Sequence, residues 1–238
     1  MNVHKSWQEI INLSLNSLDG KYLDFLYKNE DYFPDFDNFL NAFKTLPREK
    51  TKAILFGQDP YPRKKSAIGY AFIDGMVEEI FGQNGFCKEV NKAVSLRNFL
   101  KMQLRSQGFL QQNTNQNAIA KIPKQKLISS IMDLKNNFEK EGILLLNRAL
   151  VFTSKEQTKL HVKAFKPLME TFLRQICKDR IDLILFGNEA KSIEKLLPKN
   201  HNFKLFKTQH PYNISFITDE KNLKYFSKLN LMGKDTFC

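Results

Sequence analysis

The sequence predicts an α/β fold: a single domain over residues 1–238 with a central, short parallel sheet flanked by helices on both faces. Short apolar runs that end in glycine or a polar residue alternate along the chain with segments of helical apolar spacing. Such alternation is typical of a parallel sheet whose two faces are covered by helices. A length of 238 residues fits one domain of this kind and requires no second one.

Four apolar runs predict the strands of the sheet. Three of them are short and largely apolar, as expected for a parallel strand buried on both faces, and the run at 203–207, which includes two lysines, is a fourth candidate. The runs cover residues 52–56, 142–147, 181–187 and 203–207.

Apolar residues recur at helical spacing in three segments. These are residues 7–46, where Pro34 breaks the pattern, residues 165–177 and residues 189–197. The amide-rich stretch 111–117 predicts a mobile loop, and residues 122–126 predict a basic turn. The insertion-like region 75–94 has no pattern from which a function can be predicted.

The chain is strongly basic. It has 37 Lys and Arg against 25 Asp and Glu, a formal charge of +12. Such a surface attracts a polyanion by electrostatic steering and counterion release, so nucleic acid is the expected partner. The alternative interpretation is that many of the lysines only solvate the surface, so charge alone favours nucleic acid weakly.

The cysteines and the apolar pattern predict the compartment. Cys87, Cys177 and Cys238 are far apart and odd in number, which indicates neither a disulfide framework nor a metal-binding cage. The N-terminus lacks the apolar core and cleavage site of a signal peptide, and no apolar run approaches the roughly 20 residues of a membrane span. We therefore expect a soluble, cytoplasmic protein with no membrane partner.

Three motifs follow the predicted strands. Gly-Gln-Asp-Pro-Tyr-Pro occupies residues 57–62 and precedes Gly-Tyr-Ala-Phe at 69–72, Leu-Leu-Leu-Asn occupies 144–147, and His-Pro-Tyr-Asn-Ile-Ser occupies 210–215. Ligands of open parallel sheets bind beyond the carboxyl ends of the strands, where these motifs begin. In content and order the motifs resemble those of family 1 uracil-DNA glycosylases, and the resemblance runs from about residue 52 to residue 216. It implies an enzyme that flips uracil out of DNA and hydrolyses the N-glycosidic bond.

The resemblance implies two catalytic residues, Asp59 and His210. A carboxylate at Asp59 stabilises the positive charge that develops on the sugar and orients the attacking water. His210 donates a hydrogen bond to the uracil carbonyl oxygen that gains negative charge. Taken alone, Asp59 before Pro60 is as well explained by a turn, and a lone His before Pro is more often structural.

Four further residues are implied to bind the base. The Asn147 amide matches the edge of uracil and rejects cytosine, and the backbone of Gln58 hydrogen-bonds the base. Phe72 stacks on the flipped base, and Tyr61 excludes the methyl group of thymine. The alternatives are that Asn147 caps a turn and that Phe72, one of 21 phenylalanines, packs in the core.

The resemblance also implies contacts with DNA. Ile214 takes the position of an apolar wedge that enters the duplex, although an apolar residue there also fits a buried strand end. Ser95 and Ser215 are candidate phosphate contacts, and basic neighbours could add charge: Arg63, Lys64, Lys65 and Arg148. We expect a monomer that acts on uracil-containing DNA, single- or double-stranded, with no cofactor and no metal.

The chain departs from the common family pattern at several positions. Pro62 stands where the family usually has His, and Tyr212 and Asn213 replace a small or proline-rich stretch. Val94 replaces an expected proline. These differences leave two alternatives open: a DNA-binding or replication-scaffold relative that hydrolyses poorly, and a glycosylase for another damaged base.

Overall fold

A computed structural model describes residues 2–29 and 31–234, with residue 190 described by its backbone only. The strands are β1 (Ala53–Gly57), β2 (Phe81–Gly82), β3 (Gly85–Phe86), β4 (Ile143–Asn147), β5 (Asp182–Phe186) and β6 (Lys204–Thr208). The α-helices are α1 (Gln8–Leu15), α2 (Gly20–Lys28), α3 (Lys88–Lys92), α4 (Val94–Ser106), α5 (Gln116–Ala120), α6 (Ile131–Lys140), α7 (Thr158–Ala164), α8 (Lys166–Gln175), α9 (Glu189–Glu194) and α10 (Glu220–Phe226).

The contacts between residues divide the chain into two compact units. Unit 1 comprises Met1–Asp74 and Gly142–Lys207, and unit 2 comprises Gly75–Glu141 and Thr208–Cys238. Each unit is therefore made of two chain segments. The assignment of residues 1–238 to a single domain stays a prediction.

A four-stranded sheet of order β4-β1-β5-β6 organises unit 1. β1 is parallel to both β4 and β5, with Phe56 opposite Leu146 on one side and Leu185 on the other. Nearly every residue of these three strands is buried, as expected for a parallel sheet covered by helices. The predicted parallel α/β fold is confirmed, and the four apolar runs correspond to its strands.

The core of unit 1 is rich in aromatic residues. The buried Trp7 donates a hydrogen bond from Nε1 to the carbonyl oxygen of Leu46 at 2.8 Å. Its ring contacts Phe43 edge-on at 5.4 Å between centroids and Phe172 of α8 at 5.9 Å. These contacts pack the N-terminal segment against α8, which covers the sheet that carries the motifs.

The prediction of helix up to residue 46 is wrong for its second half. α2 ends at Lys28, before Pro34, and the residues beyond Pro34 form turns and a short 3-10 helix, Asn41–Phe43. Asn38 and Asn41 bond each other through their side chains, and Asn41 also donates to the carbonyl oxygen of Ile68. Side chains of this type compete with the backbone and favour turns, while the buried phenylalanines between them produced the apolar spacing.

Unit 2 contains α3 to α6, α10 and the β2-β3 hairpin. Phe99 of α4 stacks on Phe138 of α6 at 5.8 Å and meets Phe226 of α10 edge-on at 5.3 Å, which joins three helices around one buried ring. The predicted basic turn is confirmed by a 3-10 helix, Lys124–Lys126.

The predicted amide-rich loop is shorter than expected. Gln116 begins α5, and its side chain accepts from the Phe86 N–H at 2.8 Å and donates to Asn91 at 2.6 Å. The Gln116 side chain therefore links the β2-β3 hairpin to α3, although the composition of residues 111–117 predicted a loop there. Within the described part of the chain, every helix is too short or too polar to span a membrane.

Candidate active site

The loop that leaves β1 is held by backbone hydrogen bonds from the residues after β4. Arg148 N–H donates to the Gly57 carbonyl oxygen and Ala149 N–H to that of Gln58, both at 2.9 Å. The loop therefore has a defined position at the carboxyl edge of the sheet. In the described structure the Gln58 N–H has no partner, so it is the backbone group of Gln58 that can bind a ligand.

Asn147 is the last residue of β4 and lies opposite Gly57 in the parallel register. It is 7% exposed, and its amide oxygen lies directly over the Gly57 Cα, where a Cβ would collide with it. Over residues 2–29 and 31–234 its side chain forms no hydrogen bond, so the amide can pair with a ligand. A turn-capping role for Asn147 is therefore not supported.

Unit 1 also contains the two aromatic residues predicted to bind the base, Phe72 and Tyr61. Phe72 is half-buried, has a left-handed φ of 69° and meets Phe186 at the end of β5 at 6.1 Å between ring centroids. A left-handed backbone costs a phenylalanine about 1–3 kcal/mol and is found mainly at functional sites. The half-buried Tyr61 donates its hydroxyl to the Phe72 carbonyl oxygen at 3.3 Å, which fixes the direction of its ring.

Asp59 is half-buried on the loop after β1. Thr158, the first residue of α7, donates from Oγ1 to Asp59 Oδ2 at 3.3 Å. Burial is the largest influence on the carboxyl group and raises its pKa, the Thr158 hydrogen bond lowers it, and the charge of Glu189 raises it again. The net effect is a raised pKa for Asp59.

A bidentate ion pair stands beside this carboxylate. Arg148 Nε bonds Glu189 Oε2 at 3.0 Å, and Arg148 Nη2 bonds Glu189 Oε1 at 3.2 Å. The Arg148 side chain is only 17% exposed and is engaged by Glu189, so it is unsuited to the phosphate contact predicted for it. Arg63 pairs with Asp74 at 3.1 Å but keeps 62% of its side chain exposed.

His210 lies in unit 2, on an exposed turn after β6. The N–H of Tyr212 donates to His210 Nδ1 at 3.1 Å, and the N–H of Asn213 donates to the His210 carbonyl oxygen at 3.0 Å. Since Nδ1 accepts a hydrogen bond, the proton of the neutral ring is on Nε2. The turn therefore presents an imidazole N–H donor. Asn98 of α4 supports it by donating to the Pro211 carbonyl oxygen at 2.8 Å.

The three residues expected to contact DNA also lie in unit 2. Ile214 begins a 3-10 helix, Ile214–Ile217, and is 70% exposed. Ser215 is exposed and donates its hydroxyl to Gln209 at 2.6 Å, and Ser95 lies in the first turn of α4. Exposure of Ile214 rules out the buried strand-end interpretation.

The predicted site residues thus divide between the two units. Unit 1 brings together Gln58, Asp59, Tyr61, Phe72 and Asn147, and unit 2 holds Ser95, His210, Ile214 and Ser215. Thr158 and Glu189 were not identified from the sequence. Glu189 follows the carboxyl end of β5, the position that marks ligand sites in such sheets, and could have been found. Thr158 starts a helix that has no motif of its own.

An amide, a carboxylate and two aromatic rings at the carboxyl edge of a parallel α/β sheet form a site suited to a planar ligand that hydrogen-bonds along its edge. The family model of the uracil DNA glycosylase superfamily matches residues 43–232. This chain belongs to that superfamily and is a monofunctional DNA N-glycosylase, a hydrolase.

Relatives from several bacteria are similar over nearly their whole length. The crystal structure of the UNG from Nitratifractor salsuginis is 43% identical in sequence, with a TM-score of 0.95. The match covers 98% of this chain and 94% of the Nitratifractor chain. A uracil-DNA glycosylase from Fusobacterium nucleatum is 25% identical over 242 residues, 98% of this chain and 92% of the relative. The mimivirus uracil-DNA glycosylase is 15% identical with a TM-score of 0.54, covering 88% of this chain and 69% of its own, and shares the fold.

Proposed function

We propose that Asp59 and His210 are the catalytic residues in the excision of uracil from DNA, the base excision repair reaction that this chain catalyses. One observation carries the assignment of Asp59. Its half-buried carboxylate lies on the loop after β1, at the carboxyl edge of the sheet, and accepts a hydrogen bond from Thr158.

Asp59 acts at the sugar. As the bond between C1′ and the base nitrogen breaks, the electron pair leaves with uracil and positive charge develops on the deoxyribose. An ionised carboxylate stabilises that charge and orients a water, whose oxygen adds to C1′ to leave an abasic site and whose proton ends on the released uracil. Partial removal from water strengthens this interaction, and the same burial raises the pKa of Asp59.

His210 acts at the base. Its Nε2–H donates to the uracil carbonyl oxygen that becomes negative as the base departs. A neutral imidazole suits this role because the Tyr212 N–H already occupies Nδ1 and holds the ring in one orientation. Donors fixed before the reaction stabilise a developing anion without reorganisation.

Asn147, the Gln58 N–H, Tyr61 and Phe72 recognise the base. The Asn147 amide offers one donor and one acceptor, the complement of uracil, whereas cytosine would leave a buried polar group unpaired. Tyr61 excludes the thymine methyl group, and its hydroxyl bond to Phe72 keeps the ring from turning aside. Phe72 stacks on the flipped base.

Ser95 and Ser215 contact phosphates and Ile214 fills the space that the flipped base vacates. The first turn of a 13-residue helix favours an anion at Ser95. Since the Ser215 hydroxyl donates to Gln209, the backbone N–H is the donor that it offers to a phosphate. Both single- and double-stranded DNA are substrates.

We also propose that the enzyme acts as a monomer in the cytoplasm and without a cofactor or metal. Free thiols at Cys87 and Cys177 fit a reducing compartment. Each catalytic residue is positioned by contacts within its own chain, so neither requires a second copy. Light scattering during size-exclusion chromatography measures the oligomeric state directly.

The deciding experiment is release of free uracil from a labelled oligonucleotide in EDTA by wild type and Asp59→Asn. We expect the variant to bind the DNA and to lose at least a hundredfold in single-turnover rate, the order of effect of a positioned charge in a transition state. Asp24→Asn, which removes an exposed carboxylate paired with Lys28, is the matched control and keeps the wild-type rate.

Equal turnover by wild type and Asp59→Asn would remove Asp59 from the catalytic machinery. DNA binding by wild type without release of any base would instead support a scaffold role. Preferential release of hypoxanthine or mismatched thymine would indicate a glycosylase for another base.

A further inference from the structure

The Arg148–Glu189 ion pair joins the two strands on either side of β1. Arg148 directly follows β4, and Glu189 begins α9 just after β5. Because β4 and β5 both pair with β1, the bidentate bridge crosses the carboxyl end of β1, where the loop with Asp59 begins. The Arg148 N–H also holds this loop through the Gly57 carbonyl oxygen.

The bridge is largely withdrawn from water. The side chains of Arg148 and Glu189 are 17% and 10% exposed, whereas those of the surface pair Lys28–Asp24 are 75% and 65% exposed. Exposed pairs contribute little, but a buried bidentate pair has a fixed geometry, and removal of one partner leaves an uncompensated charge. That charge would act on any ionisable group nearby.

Asp59 is such a group. The charged and polar side chains that act on it come from the loop after β1, from α7, from the residues after β4 and from α9: Gln58, Thr158, Arg148 and Glu189. The negative charge of Glu189 raises the pKa of Asp59, and the positive charge of Arg148 lowers it. The two charges therefore act on the carboxyl group in opposite directions as long as the pair is intact.

We propose that Arg148 and Glu189 are positioning residues for Asp59: their ion pair clamps the end of β1 and balances the charge beside the catalytic carboxylate. This inference rests on the proposed role of Asp59. Neither side chain needs to touch the substrate. The pair acts through the orientation of the loop and through the fraction of Asp59 that is ionised.

The proposal predicts opposite effects of two conservative substitutions. Glu189→Gln removes the negative charge and leaves the positive one, so the pKa of Asp59 falls. Arg148→Gln leaves Glu189 as an unpaired negative neighbour, so the pKa of Asp59 rises. Because the carboxylate is the active form, the acidic limb of the pH–rate profile shifts to lower pH in Glu189→Gln and to higher pH in Arg148→Gln.

The experiment measures single-turnover uracil release against pH, with enzyme in excess over DNA. Below the midpoint of the acidic limb we expect Glu189→Gln to be a few-fold faster than Arg148→Gln relative to each variant's own plateau. Arg148→Lys keeps the positive charge but loses the forked pair of donors. We expect the midpoint of its acidic limb to lie close to that of wild type and the plateau rate to be lower than that of wild type.

Arg48→Gln is the matched control. Arg48 forms a bidentate pair with Asp179, at 2.9 and 3.0 Å, from the segments that precede β1 and β5. It is therefore a bidentate bridge of the same kind at the amino end of the sheet, between the segments that lead into β1 and β5. We expect its loss to lower thermal stability with no displacement of the acidic limb.

The pKa of Asp59 can also be measured without turnover, by an NMR titration of its carboxyl carbon in wild type, Glu189→Gln and Arg148→Gln. Midpoints that move in one common direction, or not at all, would reduce the bridge to a structural brace and overturn the proposal. That result is distinguishable from failure of the proposed function, in which Asp59→Asn itself keeps full activity.

Discussion

At the scale of single residues, the position of the Asn147 amide, which we propose reads the base, depends on the absence of a side chain at Gly57. Gly57 and Asn147 are paired residues at the ends of β1 and β4, and the Asn147 amide oxygen occupies the space of a Gly57 Cβ. A Cβ added at Gly57 would also lie 3.2 Å from the Ala71 Cβ, so it could not move away from the Asn147 amide towards Ala71. The glycine is required by this close approach of a side chain to the backbone.

Gly57→Ala should therefore displace the Asn147 amide while leaving the strands paired. We expect uracil excision to fall by about a hundredfold, since a displacement of about 1 Å in a binding group has effects of this order. Gly20→Ala is the control, because Gly20 begins α2 and a Cβ there meets nothing within 4 Å. Wild-type kinetics for Gly57→Ala would mean that Asn147 does not read the base.

Motif residues at or just beyond the end of a strand could be predicted, because one short stretch of sequence contains both the structure and the chemistry. Asp59 and Asn147 are of this kind. Thr158 could not be predicted, because it meets Asp59 only through the folded chain, 99 residues apart in sequence. The partnership of Arg148 with Glu189 is equally non-local, and charge alone suggested a surface cation at Arg148.

At the scale of elements, strands were easier to predict than helices. A buried parallel strand is apolar at nearly every position, and β1, β4 and β5 could be found from this feature alone. Turns that bury aromatic residues imitate helical spacing, which explains the wrong prediction between Pro34 and Leu46. The capping box of α6, in which Ser130 and Asp133 bond each other's backbone N–H, was a local signal that the apolar pattern did not use.

The 3-10 helix Ile214–Ile217 presents one side chain to solvent and anchors another. Ile214 is 70% exposed, whereas Phe216, two residues further, is fully buried against Phe99 of α4. Asn222 of α10 donates to the Phe216 carbonyl oxygen at 3.2 Å and holds the element from a second side. An exposed apolar residue on so firmly held a support is suited to enter a DNA stack.

Ile214→Ala should reduce uracil excision from duplex DNA by roughly tenfold and from single-stranded DNA much less, because only the duplex requires a wedge to offset lost stacking. Rates on matched duplex and single-stranded oligonucleotides measure the ratio. Leu13→Ala removes an apolar side chain from α1 that is 43% exposed, and it should alter neither rate. An equal loss on both substrates would assign Ile214 to general DNA contact.

At the scale of the whole molecule, the excess of 12 positive charges governs the encounter with DNA. Each phosphate neutralised releases counterions, so affinity falls as salt rises, with a logarithmic slope of about −0.9 per contact on duplex DNA and −0.7 on single strands. Cleavage of the N-glycosidic bond in the bound complex involves no such release. Binding and turnover should therefore respond differently to ionic strength.

We expect log(kcat/KM) to fall linearly with log salt, more steeply on duplex than on single-stranded DNA, while the single-turnover rate at saturating enzyme changes little. We expect the exposed lysines on the loop after β1 to contact phosphates. The double variant Lys64→Gln/Lys65→Gln should therefore make the slope of log(kcat/KM) against log salt less negative, by up to about one unit per lysine. Lys178→Gln, an exposed charge just before β5 at the amino end of the sheet, should leave the slope unchanged. If removal of a lysine changed the slope equally at Lys64, Lys65 and Lys178, the positive charge would act only as a diffuse field, and DNA would have no preferred face on the protein.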